Sequence, residues 1–260
     1  MHSIAANAIR TGARGLFCAY IALVACLTHG QSLTPFSTAP EGPLPAPWRV
    51  VGLPGNKVPL AQIDTTLLDG RRVLRLRTDA SYGTASHALP PGTQLTAGTT
   101  LQWQWRLDQP LARSDVRRKD GDDVALKVCA MFDLPLDSLG FVERNLMRLA
   151  RSRTGEHLPA ATLCYVWDTA LPALAVGTVL PNAYTARLRW MVLDSAAAPG
   201  ASPTGQWVLH RRDLAADFLQ AFGDESRTVP PLLAIVVGAD ADNTAGASLG
   251  YVGDLVLVKQ

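Results

Sequence analysis

The chain has 260 residues, 48% of them hydrophobic and 18% charged, with a formal net charge of +2. Arg10 and Arg14 supply that excess, so residues 27–260 carry 22 basic and 22 acidic side chains. A balanced charge excludes the basic footprint of a nucleic-acid binder, and the length suits one domain with a substantial core.

Arg10 and Arg14 precede an apolar run from Leu16 to Leu27. A basic start followed by about a dozen apolar residues has the dimensions of an export signal and is short for a membrane span. Within it, Leu23-Val24-Ala25-Cys26 resembles a bacterial lipobox, which makes Cys26 the expected lipidation site and residues 1–26 the signal peptide. A cut after Thr28-His29-Gly30 is the competing reading. Either one predicts a periplasmic or envelope location, as an outer-membrane lipoprotein if Cys26 is acylated. A lipid anchor would then be the membrane contact.

Residues 27–47 hold five prolines from Pro35 to Pro47 and read as an extended tether ahead of a single domain over 48–260. Strand signals then recur. Val73–Thr78 is one, and Thr99–Asp108 alternates strictly, with Leu101, Trp103, Trp105 and Leu107 on one side and Gln102, Gln104, Arg106 and Asp108 on the other. Such period-two alternation predicts a half-buried strand, and its aromatics read as core. Further strands are expected at Val124–Phe132, Thr162–Trp167, Tyr184–Leu193, Gln206–His210, Leu232–Val237 and Leu249–Val258.

Two helices interrupt them. Asp137–Arg151, capped by Asp137 or Ser138, places Leu139, Val142, Leu146 and Leu149 on the stripe expected to face the core, with Glu143, Arg144, Arg148 and Arg151 outside. Asp213–Phe222 is capped by Asp213, buries Leu214, Phe218 and Phe222, and ends at Gly223. Many strands with two short inserted helices predict an all-β fold, a two-sheet β-sandwich or jelly roll.

Cys129 and Cys164 lie in two of these strands. They form a disulfide if the strands pair antiparallel in the right register, and otherwise are separate buried thiols. Asp240, Asp242 and Asn243 make the best oxygen-rich cluster, a candidate Ca²⁺ site. It lacks the Gly and Glu that complete an EF-hand loop, since Ala245 and Tyr251 stand at those positions. No other cofactor is indicated. Asp122 and Asp123 would point to opposite faces of a strand and are not a natural dyad. The five histidines are scattered, and neither a nucleophile elbow nor a P-loop is present.

Several strings together resemble a bacterial exported family known as domain of unknown function 3047. They are Trp103-x-Trp105-Arg106, Gly121-Asp122-Asp123, Tyr165-Val166-Trp167, Arg212-Asp213-Leu214, and Val237 to Thr244 followed by Tyr251-Val252-Gly253-Asp254-Leu255. The resemblance spans roughly residues 48–260 and implies no activity. The helical insert after Phe132 and Cys164 beside Tyr165 depart from the family pattern. The strand from Tyr251 to Leu257 also resembles the closing strand of carbohydrate-binding jelly rolls.

The leading expectation is a non-catalytic exported module that binds a glycan or another envelope component, with Asp123, Asp242, Asn243 and Tyr251 as contacts. The alternatives are a polysaccharide-acting enzyme using paired aspartates and a purely structural accessory protein. Convergence of Asp122, Asp123, Asp240, Asp242 and Asp254 in one open cleft would favour binding or catalysis.

Overall fold

A computed structural model describes residues 33–154, 158–170, 172–196 and 203–259. The signal segment and Cys26 lie outside the described residues. The strands are β1 (Arg49–Val51), β2 (Gln62–Leu68), β3 (Arg71–Asp79), β4 (Tyr82–Ala88), β5 (Thr100–Gln109), β6 (Lys127–Phe132), β7 (Ala161–Asp168), β8 (Val179–Pro181), β9 (Leu188–Ser195), β10 (Val208–Asp213), β11 (Leu232–Asp240), β12 (Ala247–Val252) and β13 (Val256–Val258). The helices are α1 (Phe141–Thr154) and α2 (Leu214–Phe222). The result is the expected all-β, two-sheet sandwich.

One sheet has seven strands in the order β1-β4-β11-β6-β7-β9-β8, antiparallel except for the β7–β9 pair. The other runs β10-β5-β12-β3-β2, with β13 also on β5. The last expected strand, Leu249–Val258, is thus two strands separated by Gly253–Leu255. The β2–β3 hairpin turns on Asp69 and Gly70, both with positive φ (51° and 72°), as the Asp-Gly pair of a two-residue turn requires.

Between the sheets, Leu101, Trp103, Trp105 and Leu107 of β5 meet Leu163, Tyr165 and Trp167 of β7 and Ile235 and Val237 of β11, all at most 1% exposed. The Trp103–Tyr165 ring centroids are 5.3 Å apart and the Trp105–Trp167 centroids 5.8 Å. A second cluster covers the far face of the seven-stranded sheet: Val116, Val124, Cys129, Cys164, Val166, Trp190, Val192 and Val236. That sheet is therefore buried on both faces, and every residue of β7 is buried. A strand covered on both sides has no reason to alternate, which accounts for the continuous apolar run at 161–167. Within the second cluster Cys129 faces Cys164 in the β6–β7 register, and the pair is joined by a disulfide (Sγ–Sγ 2.05 Å).

Helix α2 follows its sequence signals. Asp213 accepts from the Ala215 and Ala216 amides (both 3.0 Å), and Leu214, Phe218 and Phe222 are buried. Helix α1 is reversed. Val142, Leu146 and Leu149 are 68%, 60% and 46% exposed, while Arg144 and Arg151 turn inward. The reason is local. Residues 136–138 form a 3₁₀ turn, so Asp137 and Ser138 do not cap the helix. Arg144 donates to the carbonyls of Asp137 (3.2 Å) and Leu139 (2.9 Å), and Arg151 to that of Leu158 (2.7 Å). These carbonyls need donors, and the arginines supply them.

The Pro-rich stretch also departs from expectation, because from Leu33 onward it is docked on the body. Leu33 and Phe36 are buried with Trp48. Asp254 accepts from the Phe36 amide (2.6 Å), and Trp48 Nε1 donates to the Thr34 carbonyl (2.8 Å). Proline alone makes a stretch extended; Leu33, Phe36 and Trp48 give this one an apolar edge to bury.

The docked segment meets His87. Its Nδ1–H donates to the Ala88 carbonyl (3.0 Å), so the Nε2 that accepts the Thr34 amide (3.2 Å) belongs to a neutral ring. Burial lowers the His87 pKa below the ordinary 6.5. Its contribution to stability is complete above pH 6.5 and is lost as pH falls through the lowered value. Exchange protection of the Thr34 amide, corrected for intrinsic rates, should therefore drop on acidification, and His87→Gln should remove that dependence. Protection that stays level down to about pH 5 would contradict this coupling.

Candidate functional site

The carboxylates picked out by sequence divide between two places. Asp240, at the end of β11, is buried with Lys127 of β6; its Oδ2 accepts from Nζ at 2.8 Å and its Oδ1 from the Val124 amide at 2.5 Å. Burial pushes Asp240 up to about 6, while the neighbouring carboxylate holds Lys127 above its ordinary value despite its own burial. Asp123 is 1% exposed. It accepts from the amides of Asn243 (3.1 Å) and Thr244 (2.7 Å) and from the Thr244 hydroxyl (2.6 Å). Asp122 points elsewhere and accepts from Asn182 Nδ2 at 2.6 Å. Burial raises Asp122 and Asp242 above the usual carboxylate range.

These contacts shape the 240–244 loop from beneath. Asp240 is turned toward a lysine, not toward Asp242 and Asn243, and among the described residues no three His, Cys, Asp or Glu side chains come together as a metal cage. Asp240 accepts from the Val124 amide, and the loop's Asn243 and Thr244 amides are in turn satisfied by Asp123, as Asp side chains commonly do at turns. The basic cluster beside it is likewise internally paired: Arg117 with Asp115 (2.6 Å) and Arg118 with Asp120 (2.5 Å).

Tyr251 is not part of this group. It stands on the outer face of the six-stranded sheet, in register with Arg75 of β3 and Arg106 of β5. Burial, then Asp108, raises its pKa. Around it Arg75 pairs with Asp64 (2.7 Å) and Arg106 with Asp108 (2.6 Å), and hydrogen bonds to these carboxylates raise both guanidinium pKa values. The outward alternation of β5 puts Gln102, Gln104, Arg106 and Asp108 on this face because Leu101, Trp103, Trp105 and Leu107 fill the other.

Here the sheet opens into a groove of about 520 Å³. Strand β12 leaves β3 at Val252, and residues 253–255 step across to β13, so Arg71–Val73 and β5 stand apart. The groove is lined by Arg71, Gln102, Gln104 and Asp254 with apolar Val73, Leu209 and Val256. Arg71 donates to Gln104 Oε1 (3.2 Å) and lies 4.8 Å over the Trp207 ring. Trp207 Nε1 and Arg106 both donate to Asp69 Oδ2 at the hairpin tip (3.2 and 2.9 Å). Asp254, held by the amides of Phe36 and Ser37, forms one end. Of the five aspartates proposed for one cleft, Asp254 thus lies in this groove and the other four lie around the 240–244 loop. Sequence singles out neither Arg71, Gln102 nor Gln104 as a site residue. The one signal for the two glutamines is their place on the polar side of the β5 alternation.

A third polar group lies between the sheets. An extra residue in β9 at Leu193 shifts the register, pairing Trp167 with Asp194. Asp194 then accepts from Trp105 Nε1 and meets His210 Nε2, both at 2.6 Å. Nearby, Asp217 accepts from the Tyr165 hydroxyl (2.7 Å) and pairs with Arg212 (2.5 Å). These contacts tie β10 and α2 to the core.

The family model "Protein of unknown function (DUF3047)" matches residues 46–256. The chain belongs to the DUF3047 family. The match takes in both sheets, the groove and the 240–244 loop. No curated protein matches the chain in sequence. Among solved structures, an agarase, AgWH50C, is similar over 88% of this chain and 26% of its own, at 8% identity and a TM-score of 0.34. The DUF3047 chain therefore spans about a quarter of that enzyme's length.

The Lys127–Asp240 pair gives a direct test of the role assigned to Asp240. Removing one member strands the other inside the protein, at a cost of about 3–5 kcal/mol, whereas removing both together is far less harmful. Denaturant unfolding should show Lys127→Met and Asp240→Leu each strongly destabilised and the double variant more stable than either. Full additivity of the two losses would contradict the pairing.

Proposed function

We propose that this is a non-catalytic exported domain that binds a glycan of the cell envelope in the groove on its six-stranded sheet. The observation that carries the reading is the lining of that groove. Gln102 and Gln104 present amide donors and acceptors side by side, Arg71 adds a planar fork of donors, and Asp254, held by the Phe36 and Ser37 amides and the Ser37 hydroxyl, adds negative charge at one end. A sugar offers the complement, with hydroxyls that both donate and accept around a ring whose C–H face is apolar. Exposed Leu209 (68%) and Val256 (46%) supply surface for that face. A concave site with a few convergent polar groups among apolar ones is the usual form of a small-ligand site.

The export signal and lipobox support an envelope location, with Cys26 as the acylated residue. The paired-aspartate enzyme is the weaker reading. Asp122, Asp123 and Asp240 each engage a different partner, an arrangement that suits holding the structure in place.

Binding to a panel of peptidoglycan fragments and envelope polysaccharides tests the proposal. Gln104→Ala and Arg71→Ala should each weaken the affinity for the bound glycan about five- to a hundredfold, the range for removing a hydrogen bond to a partner left unsatisfied. Asn243→Ala, on the other loop, should leave it unchanged. A panel without a binder, or an affinity that survives the Gln104→Ala/Arg71→Ala double variant, overturns the proposal.

A further inference from the structure

Helix α1 carries its apolar residues on the wrong side for a core helix. Its inward arc is Glu143, Arg144, Met147, Ala150 and Arg151. Glu143 pairs with Arg187 of the body at 2.9 Å, and Met147 packs against the core. The outward arc holds Phe141 (76% exposed), Val142, Leu146 and Leu149, with Asn145 among them. Arg148 and Arg153, both exposed, flank this apolar patch. Of the four arginines of the helix, Arg144 and Arg151 are turned to the body, and Arg148 lies 3.8 Å from the exposed Asp137.

We propose that α1 lies flat on an anionic phospholipid surface, its apolar face in the headgroup boundary and the exposed Arg148 and Arg153 against lipid phosphates. Three observations choose this occupant. An exposed helix with an apolar face and basic flanks is the pattern of an interfacial helix. At 14 residues α1 is too short to span a bilayer, so a membrane contact would run along its length. The third observation is where the chain enters the body. Thr34 is bonded to His87, next to the end of β4. Ala88 of β4 is in register with Ala234 of β11, and Phe132, where β6 hands over to α1, is in register with Leu232. The N-terminal entry and α1 therefore share one end of the seven-stranded sheet.

The docking of residues 33–47 strengthens the point. Between Cys26 and Leu33 lie only residues 27–32, which reach about 20 Å at full stretch. If Cys26 is acylated, as the functional reading has it, this end of the body is held close to the bilayer. A diacylated cysteine already anchors stably, and a surface contact beside it would fix how the body lies on the bilayer. Helix α1, at the same end of the sheet, is that surface contact.

The test places an environment-sensitive dye on α1 and does not depend on the anchor. The full chain carries Cys18→Ala, Cys26→Ala and Asn145→Cys, labelled at residue 145, and is mixed with vesicles of phosphatidylglycerol or of phosphatidylcholine. The expected result is a blue shift and an emission rise of at least about twofold with phosphatidylglycerol, weaker with phosphatidylcholine and lost in Leu146→Asp/Leu149→Asp. Both leucines are exposed, so that variant should keep the wild-type thermal midpoint. An unchanged spectrum at all vesicle concentrations overturns the proposal, as does a response that survives the double substitution. Light scattering that gives twice the chain mass, returning to one in the double variant, also overturns it and assigns the face to a second copy. Loss of membrane attachment in cells on Cys26→Ala alone concerns the anchor, and the dye response is read separately from it.

Discussion

Burial of the β5 tryptophans governs the rest of this molecule. Trp103 and Trp105 enter the space between the sheets and meet Tyr165 and Trp167, and strand geometry then forces Gln102, Gln104, Arg106 and Asp108 outward. A slip of one residue would expose two indoles and bury two glutamines, an arginine and an aspartate, so the register is strongly set. The seven-stranded sheet is covered on both faces. The outer face of the six-stranded sheet, by contrast, carries mainly exposed and half-buried polar side chains, with Val73, Leu209, Tyr251 and Val256 among them, and holds the groove. The site's location follows from packing, and its chemistry follows from what β5 must turn away from the core.

The interior is not uniformly apolar, and its polar members share a logic. Asp194 answers the Trp105 indole and His210, Asp217 answers Tyr165 and Arg212, and Asp240 answers Lys127. Each carboxylate joins elements distant in sequence, and each would be costly to leave without its partner. Such contacts add less to net stability than to the choice of one arrangement. They fix how β10 lies on β5, how α2 sits over β7, and how the 122–126 segment covers β6 and β11.

Sequence reveals some of these features and hides others for physical reasons. The alternation of β5, the capped helix α2 and the core tryptophans are local patterns, and they are legible in the chain. Strand β4, Tyr-Gly-Thr-Ala-Ser-His-Ala, is built of small and polar residues and carries little strand signal, yet it sits inside a sheet between β1 and β11. Helix α1 shows a clean apolar stripe, but periodicity tells which residues share a face and not which face meets the body. Nearby carbonyls in need of donors reverse it. The Pro-rich segment reads as a tether because Leu33 and Phe36 find their pocket only after the sheets assemble. The aspartate cluster at 240–244 resembles a cation loop in one dimension; in three, its first carboxylate faces a lysine. Arg71, Gln104 and Asp254 are far apart along the chain, and antiparallel pairing of β3, β5 and the β12–β13 step brings them together.

The central claim is that the outer face of the six-stranded sheet receives the ligand. Hydroxyl-radical footprinting of the protein with and without a bound envelope polysaccharide tests it most directly, because the modified side chains report the covered surface. The account predicts reduced labelling of Trp207 and Leu209 when ligand is present, with exposed Tyr184, whose hydroxyl bonds the Lys119 carbonyl, unchanged. Protection of Tyr184 with Trp207 and Leu209 unaffected would place the ligand on the opposite sheet's loops and contradict it.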